Sequence, residues 1–203
     1  EGSSRFVNKV MDYFSGVKII KTTDAKTESK LNKVIKEVTQ DIESFKYNLS
    51  VIKIRGLFAF LPKETSKDVL EKFLKLLHPF CPHITEELWS KLGNKTFISL
   101  ESWPVADEKK INEKFEKEEE AIDKLVEDIN NISNIVKSRG KSVNKVNVYV
   151  LPNEKQVYEN NLGEIKNRTN LSVHIFSVND KNKYDPENKS KNVKPGRPGI
   201  YLE

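Results

Sequence analysis

The chain is 203 residues long with 36% apolar and 32% charged residues, long enough for one large domain or two small ones and too apolar for a disordered polypeptide. Eight Gly, eight Pro, no internal period of about twenty to fifty residues and no apolar run approaching the ~18 that a membrane span needs exclude collagen, solenoid and transmembrane readings. The net charge of +5 is C-terminal: residues 1–138 hold 23 basic and 23 acidic side chains, whereas residues 139–203 hold 12 and 7, a modest field of the sign that attracts a polyanion.

Ser3 or Ser4 caps a first predicted helix, in which Phe6, Val7, Val10, Met11, Phe14 and Val17 recur every three or four residues up to about Gly16. After a polar stretch over 21–30, an unbroken stripe of Leu31, Val34, Ile35, Val38, Ile42, Phe45, Leu49 and Ile52 predicts one long helix closing over Arg55, Gly56 and residues 57–62. Thr65 or Ser66 caps a third, with Val69, Leu70, Phe73, Leu76, Leu77 and Phe80 on its apolar face. Pro79 and Pro82 then force a break, and Ile84, Leu88 and Leu92 carry a further helix to Gly93. An extended piece over 96–104 and a solvated linker over 107–110 lead to a helix marked by Phe115, Ile122, Leu125, Ile129, Ile132 and Val136. The period then falls to two: Val146, Val148 and Val150, and later Leu171, Val173 and Ile175, alternate with polar residues as half-buried strands do, with a weakly helical segment between them. Residues 179–203, rich in Lys, Asn, Pro and Gly, read as an extended tail anchored at Ile200, Tyr201 and Leu202. The expected fold is mainly α: an antiparallel helical bundle over 1–110, then a small α/β domain and tail over 111–203.

Little in the chain suggests catalysis. One Cys and three His fall short of a zinc site, and one Cys allows no internal disulfide, so a reducing, cytoplasmic setting is expected, the polar start over 1–8 being no signal peptide. Cys81 beside His78 or His83 is a conceivable nucleophile pair, but a small buried thiol with two His completing hydrogen bonds freed by Pro79 and Pro82 is the plainer reading. Glu86 and Glu87 point about a hundred degrees apart on a helix and read as dipole partners of its first turn. No P-loop, GxGxxG, GxSxG or HExxH is present. The tail differs in kind. Lys189, Lys191, Lys194 and Arg197, spaced by Pro and Gly and followed by Tyr201, suit phosphate contacts and base stacking, the alternative being a solubilising tail.

The run Leu76, Leu77, His78, Pro79, Phe80, Cys81, Pro82, His83, Ile84, Thr85, Glu86, Glu87, Leu88, Trp89 resembles the LLxPFxPHxxEELW stretch in the anticodon-binding bundle of class I aminoacyl-tRNA synthetases for leucine, isoleucine and valine. Residues 5–10 resemble that family's first bundle helix, and Ser102, Trp103, Pro104 its WP element. The resemblance implies packing roles for Pro79, Pro82, His83 and Trp89. The close Lys194, Pro195, Gly196, Arg197, Pro198, Gly199, Ile200, Tyr201, Leu202, Glu203 is similar to the terminus of archaeal and eukaryotic-type leucyl-tRNA synthetases, with a backbone-loosening Gly199 where Ala is commoner.

These likenesses imply a C-terminal fragment that binds tRNA(Leu) and reads its long variable arm. No residue here is catalytic and no cofactor is held, ATP and Mg²⁺ belonging to a catalytic domain outside the chain. Arg5, Lys9 and Arg55 on the bundle, and Lys191, Lys194, Arg197, Ile200, Tyr201, Leu202 and Glu203 on the tail, are the candidate RNA contacts. The expected partners are tRNA(Leu) and the rest of the synthetase chain, with neither membrane nor DNA. Three alternatives are the matching part of an isoleucyl- or valyl-type enzyme, a protein-interaction module docking through residues 200–202, and a hydrolase using Cys81.

Overall fold

The computed structural model describes residues 2–140 and 142–203; Glu1, first of the polar start, lies outside them. Two compact units follow one another, Glu1–Phe115 and Glu116–Glu203. The fold is mainly α with a small α/β part.

The first unit packs α1 (Gly2–Gly16), α2 (Ala25–Glu43), α3 (Tyr47–Phe60), α4 (Lys67–Leu77) and α5 (Pro82–Lys91) around Val10, Leu31, Val38, Ile54, Leu57, Phe73, Leu76 and Trp89. The helical backbone from Gly2 puts Ser3 and Ser4 inside the first turn, not at its cap. The long helix expected over 31–52 is two helices. It begins earlier, at the Asp24 cap, whose carboxylate accepts from the Thr27 amide (2.9 Å) and hydroxyl (2.7 Å). It is broken at Phe45, which has φ +58°, and the interior side of α3 is Ser50, Ile54 and Leu57, so Phe45, Leu49 and Ile52 of the apparent stripe stay exposed. Arg55 and Gly56 lie within α3 rather than at its end.

Two short strands that periodicity does not reveal, β1 (Lys18–Ile20) and β2 (Glu64–Ser66), pair in parallel and join the ends of α1 and α3. Ser66 then caps α4 by accepting from the Val69 amide, as expected. α4 stops at Leu77, and Pro82 opens α5 at a position where a missing N–H costs nothing. Gly93 follows α5 with φ +86°. The stretch over 96–104 includes a 3₁₀ turn, Ile98–Leu100. The expected solvated linker is tied to α2: the Asp107 amide donates to Asn32 Oδ1 (2.8 Å), the Asn112 amide to Ser29 Oγ (2.8 Å), and Lys110 pairs with Glu28 (3.1 Å).

In the second unit, α6 (Glu113–Ser138) precedes β3 (Lys145–Val150), α7 (Lys155–Asn160), α8 (Leu162–Thr169), β4 (Ser172–Ser177) and β5 (Gly199–Leu202). The sheet order is β4-β3-β5, with β4 parallel to β3 and β5 antiparallel. Ile122, Leu125 and Ile129 of α6 meet Val146, Val148, Val150 and Val173 in its core, and Arg168 ties α8 to α6 through Asp123 (2.6 Å). The tail therefore ends as an edge strand. The Asp185 carboxylate accepts from the amides of Lys189 (2.8 Å) and Ser190 (2.9 Å), fixing the 3₁₀ turn Lys189–Asn192, and Ile200 and Leu202 pack on the core.

Candidate nucleic-acid interface

The run over 76–89 is a packing element. Trp89 is 4% exposed within the first unit's core, and Lys75 Nζ lies 5.4 Å from its ring centroid. His78 Nδ1 bonds the Thr85 hydroxyl at 2.7 Å, which in turn donates toward the carbonyls of Cys81 and Pro82, both at 3.0 Å, so this His does serve the proline-broken junction. His83, like Pro79 and Pro82, is exposed, and its ring is not part of that network. Cys81 is half-buried rather than buried, and burial pushes its thiol above the ordinary value, away from the thiolate that a nucleophile needs. Glu86 is not a first-turn partner of α5. Its carboxylate accepts from the amides of Ile98 (3.0 Å) and Ser99 (3.2 Å); partial burial alone would raise its pKa, but these bonds hold it below the usual value. Glu87 pairs with Lys91 at 2.6 Å. Trp103 donates from Nε1 to Thr39 Oγ1 at 2.8 Å, fastening the WP element to α2. Among the described residues no group of three or more His, Cys, Asp or Glu is arranged to hold a metal.

Arg5 and Lys9 are exposed one helical turn apart on α1. Arg55 of α3 is exposed too, and its guanidinium lies 5.1 Å from the Phe6 ring centroid. The structure thus brings Arg55 beside the helix that carries Arg5 and Lys9. Arg55 also borders a largely apolar crevice of about 280 Å³ lined by Phe6, Val51, Leu77 and Cys81.

In the second unit, residues 194–197 form a tight turn. Arg197 N donates to Lys194 O (2.8 Å), Lys194 N to Arg197 O (3.2 Å), and Gly196 has φ +67° behind Pro195, the type II pattern. The Gly196 amide also donates to Glu154 Oε1 (2.8 Å). Lys191, Lys194 and Arg197 are all exposed. The apolar end divides: Ile200 and Leu202 face the core, while Tyr201 is half-buried against Tyr184, ring centroids 6.1 Å apart. The Glu203 carboxylate pairs with Lys145 at 2.8 Å, and its backbone bonds residues 144 and 145. Ile200, Tyr201 and Leu202 are thus on the edge strand, with Glu203 bonded just past it, while Lys194 and Arg197 stand on the turn before it and Lys191 on the preceding 3₁₀ turn.

One feature that the alternation of β3 and β4 could reveal is a row of rings opposite the core: Tyr149, Phe176 and His174. The dipeptide Pro195-Gly196 is likewise a turn signal inside a stretch whose composition suggests extended chain.

Residues 24–148 match the family described as the anticodon-binding domain of tRNA ligase. The chain is 35% identical over 150 residues to leucine–tRNA ligase 2 of Metallosphaera sedula, covering 66% of this chain and 16% of that protein. It is 52% identical over 75 residues to leucine–tRNA ligase of Staphylothermus marinus (37% of this chain, 8% of the relative) and 42% identical over 117 residues to that of Chlorobaculum parvum (54% and 14%). The matched segments span no more than about a sixth of these relatives.

Proposed function

Because the chain belongs to the family of anticodon-binding domains of tRNA ligases, we propose that it is the tRNA-binding part of a leucine–tRNA ligase, positioning tRNA(Leu) and reading its long variable arm. Leucine has six codons and no single anticodon to read, so identity carried by an arm outside the anticodon is chemically sensible. The observation that carries the reading is the turn over 194–197: two exposed cations held by a Pro-Gly bend immediately before a strand that is hydrogen-bonded into the sheet. A cation presented on ordered backbone forfeits less freedom on meeting a phosphate than one on a loose tail. Arg5, Lys9 and Arg55 form a second set of phosphate contacts on the bundle, and Lys191 joins the first. Ile200 and Leu202 support the turn rather than touch RNA.

The relatives named above are all leucine ligases, which disfavours the isoleucyl- or valyl-type alternative. ATP-dependent joining of leucine to tRNA, with ATP and Mg²⁺, belongs to the remainder of such a ligase, and the cytoplasm is where that chain and its tRNA would meet. The test is a salt titration of binding to leucine tRNA with its variable arm intact or removed. Arm removal is expected to weaken binding and to lower the slope of log affinity against log salt by about one for each phosphate that the protein no longer engages. Equal affinity and slope for both RNAs would overturn the arm-reading role.

A further inference from the structure

The turn over 194–197 is hydrogen-bonded to the rest of the second unit at one point. The backbone bonds between Lys194 and Arg197 are internal to the turn. Among the described residues, the hydrogen bond that joins it to another element comes from Glu154, whose Oε1 accepts from the Gly196 amide at 2.8 Å across 42 residues of sequence.

That amide belongs to the central peptide of the bend. Pro195 sets the same φ for type I and type II turns, and the two types differ by reversal of this peptide. Reversal would swing the Pro195 carbonyl toward the Glu154 carboxylate, oxygen against oxygen, and would deny Gly196 its φ of +67°. Glu154 therefore selects the type II form, and with it the stance of the side chains that leave the bend at either end, Lys194 and Arg197.

Other roles fit the residue poorly. Glu154 stands at the N-cap position of α7, yet its side chain makes no cap hydrogen bond. Its second carboxylate oxygen, Oε2, is buried with no partner among the described residues, which costs stability rather than adding it. Its negative charge opposes the field that a cationic turn offers a polyanion.

We infer that Glu154 is a positioning residue for RNA binding: through the Gly196 amide, its carboxylate holds the bend that aims Lys194 and Arg197 at phosphates. The inference rests on the tRNA-binding reading and deepens it, naming the group that orders the two cations before RNA arrives. The test measures affinity of the 203-residue chain for leucine tRNA with its variable arm intact. Glu154→Ala should weaken binding about 5- to 50-fold, because two long side chains must then be ordered on the RNA instead of beforehand.

Two further variants separate reach from charge. Glu154→Gln keeps an acceptor of the same length without the charge, and should bind within about twofold of the unaltered chain. Glu154→Asp keeps the charge, falls short by one methylene and should weaken binding as Ala does. In a chain that already carries Lys194→Ala and Arg197→Ala, Glu154→Ala should have no further effect, since no cations remain to be aimed. If Glu154→Ala binds as well as the unaltered chain or better, if Gln fails as badly as Ala, or if the Ala effect persists in full without the two cations, the positioning role is overturned while the tRNA-binding reading stands. If removing Lys194 and Arg197 leaves affinity unchanged, the turn is no RNA contact, and that part of the reading falls together with the role of Glu154.

Discussion

Gly199 shows how one residue can mean the opposite of its reputation. Read as a looser substitute for alanine, it lies where a Cβ would sit 2.7 Å from the Lys189 carbonyl oxygen and 3.2 Å from Val193 Cγ2, so the missing methyl lets the turn over 189–192 press against β5. Gly199→Ala is expected to lower stability by about 1–3 kcal/mol, measured by urea unfolding, because the obstacle is backbone and cannot rotate away. Asp185 governs the same segment. Burial alone would raise its pKa, but its bonds to Ser190 and Lys189 lower it below the ordinary value near 3.8. A depressed folded value means stability that is present above the ordinary pKa and lost as pH falls through the folded one. Asp185→Ala should therefore melt below the unaltered chain at neutral pH, with the gap closing in acid.

Phe45 decides the course of two helices. An apolar residue in phase with Ile42 and Leu49 reads as a continuing stripe, yet its φ of +58° ends α2, and its ring remains 79% exposed beside Tyr47. A left-handed Phe costs about 1–2 kcal/mol of backbone energy that burial does not offset here. Phe45→Gly should relieve this strain and raise stability by about 0.5–1 kcal/mol despite glycine's greater freedom when unfolded, as thermal or urea unfolding would show. The other helices and the longer strands are more legible. Ser66, Pro82 and Gly93 announce helix boundaries by their own chemistry, and Val146, Val148, Leu171 and Val173 announce strands by alternation. β1, β2 and β5 are not, because strands of three or four residues carry too few alternations to register and gain most of their stability from partners distant in sequence.

For the whole molecule, the consequence is that the tail belongs to the fold. Cutting the chain after Val193 removes β5 and uncovers the side of β3 that it pairs with, so unfolding of the second unit and loss of RNA affinity should appear together. Replacing exposed Lys194 and Arg197 by Ala separates the two effects. Affinity for leucine tRNA and the salt slope should fall, the slope by about one per phosphate engaged, with the melting temperature unchanged. The candidate site is thus legible as composition, with Lys, Arg and Tyr near the end of the chain, but not as geometry. Its cations stand on a bend and its aliphatic residues are turned inward. Alternation along β3 and β4 puts each ring opposite the core, but Tyr149 lies on a different strand from His174 and Phe176, and only the β3–β4 register sets them side by side.

Periodicity, capping residues and the run over 76–89 by themselves determined the helical bundle, the existence of β3 and β4, and the family, because these depend on spacings of a few residues that local backbone geometry translates directly. Only the tertiary structure decided which apolar residues are covered and where the last ten residues lie. Burial and strand pairing join positions tens of residues apart, such as Val148 and Ile200, and no local pattern records which partner will be there.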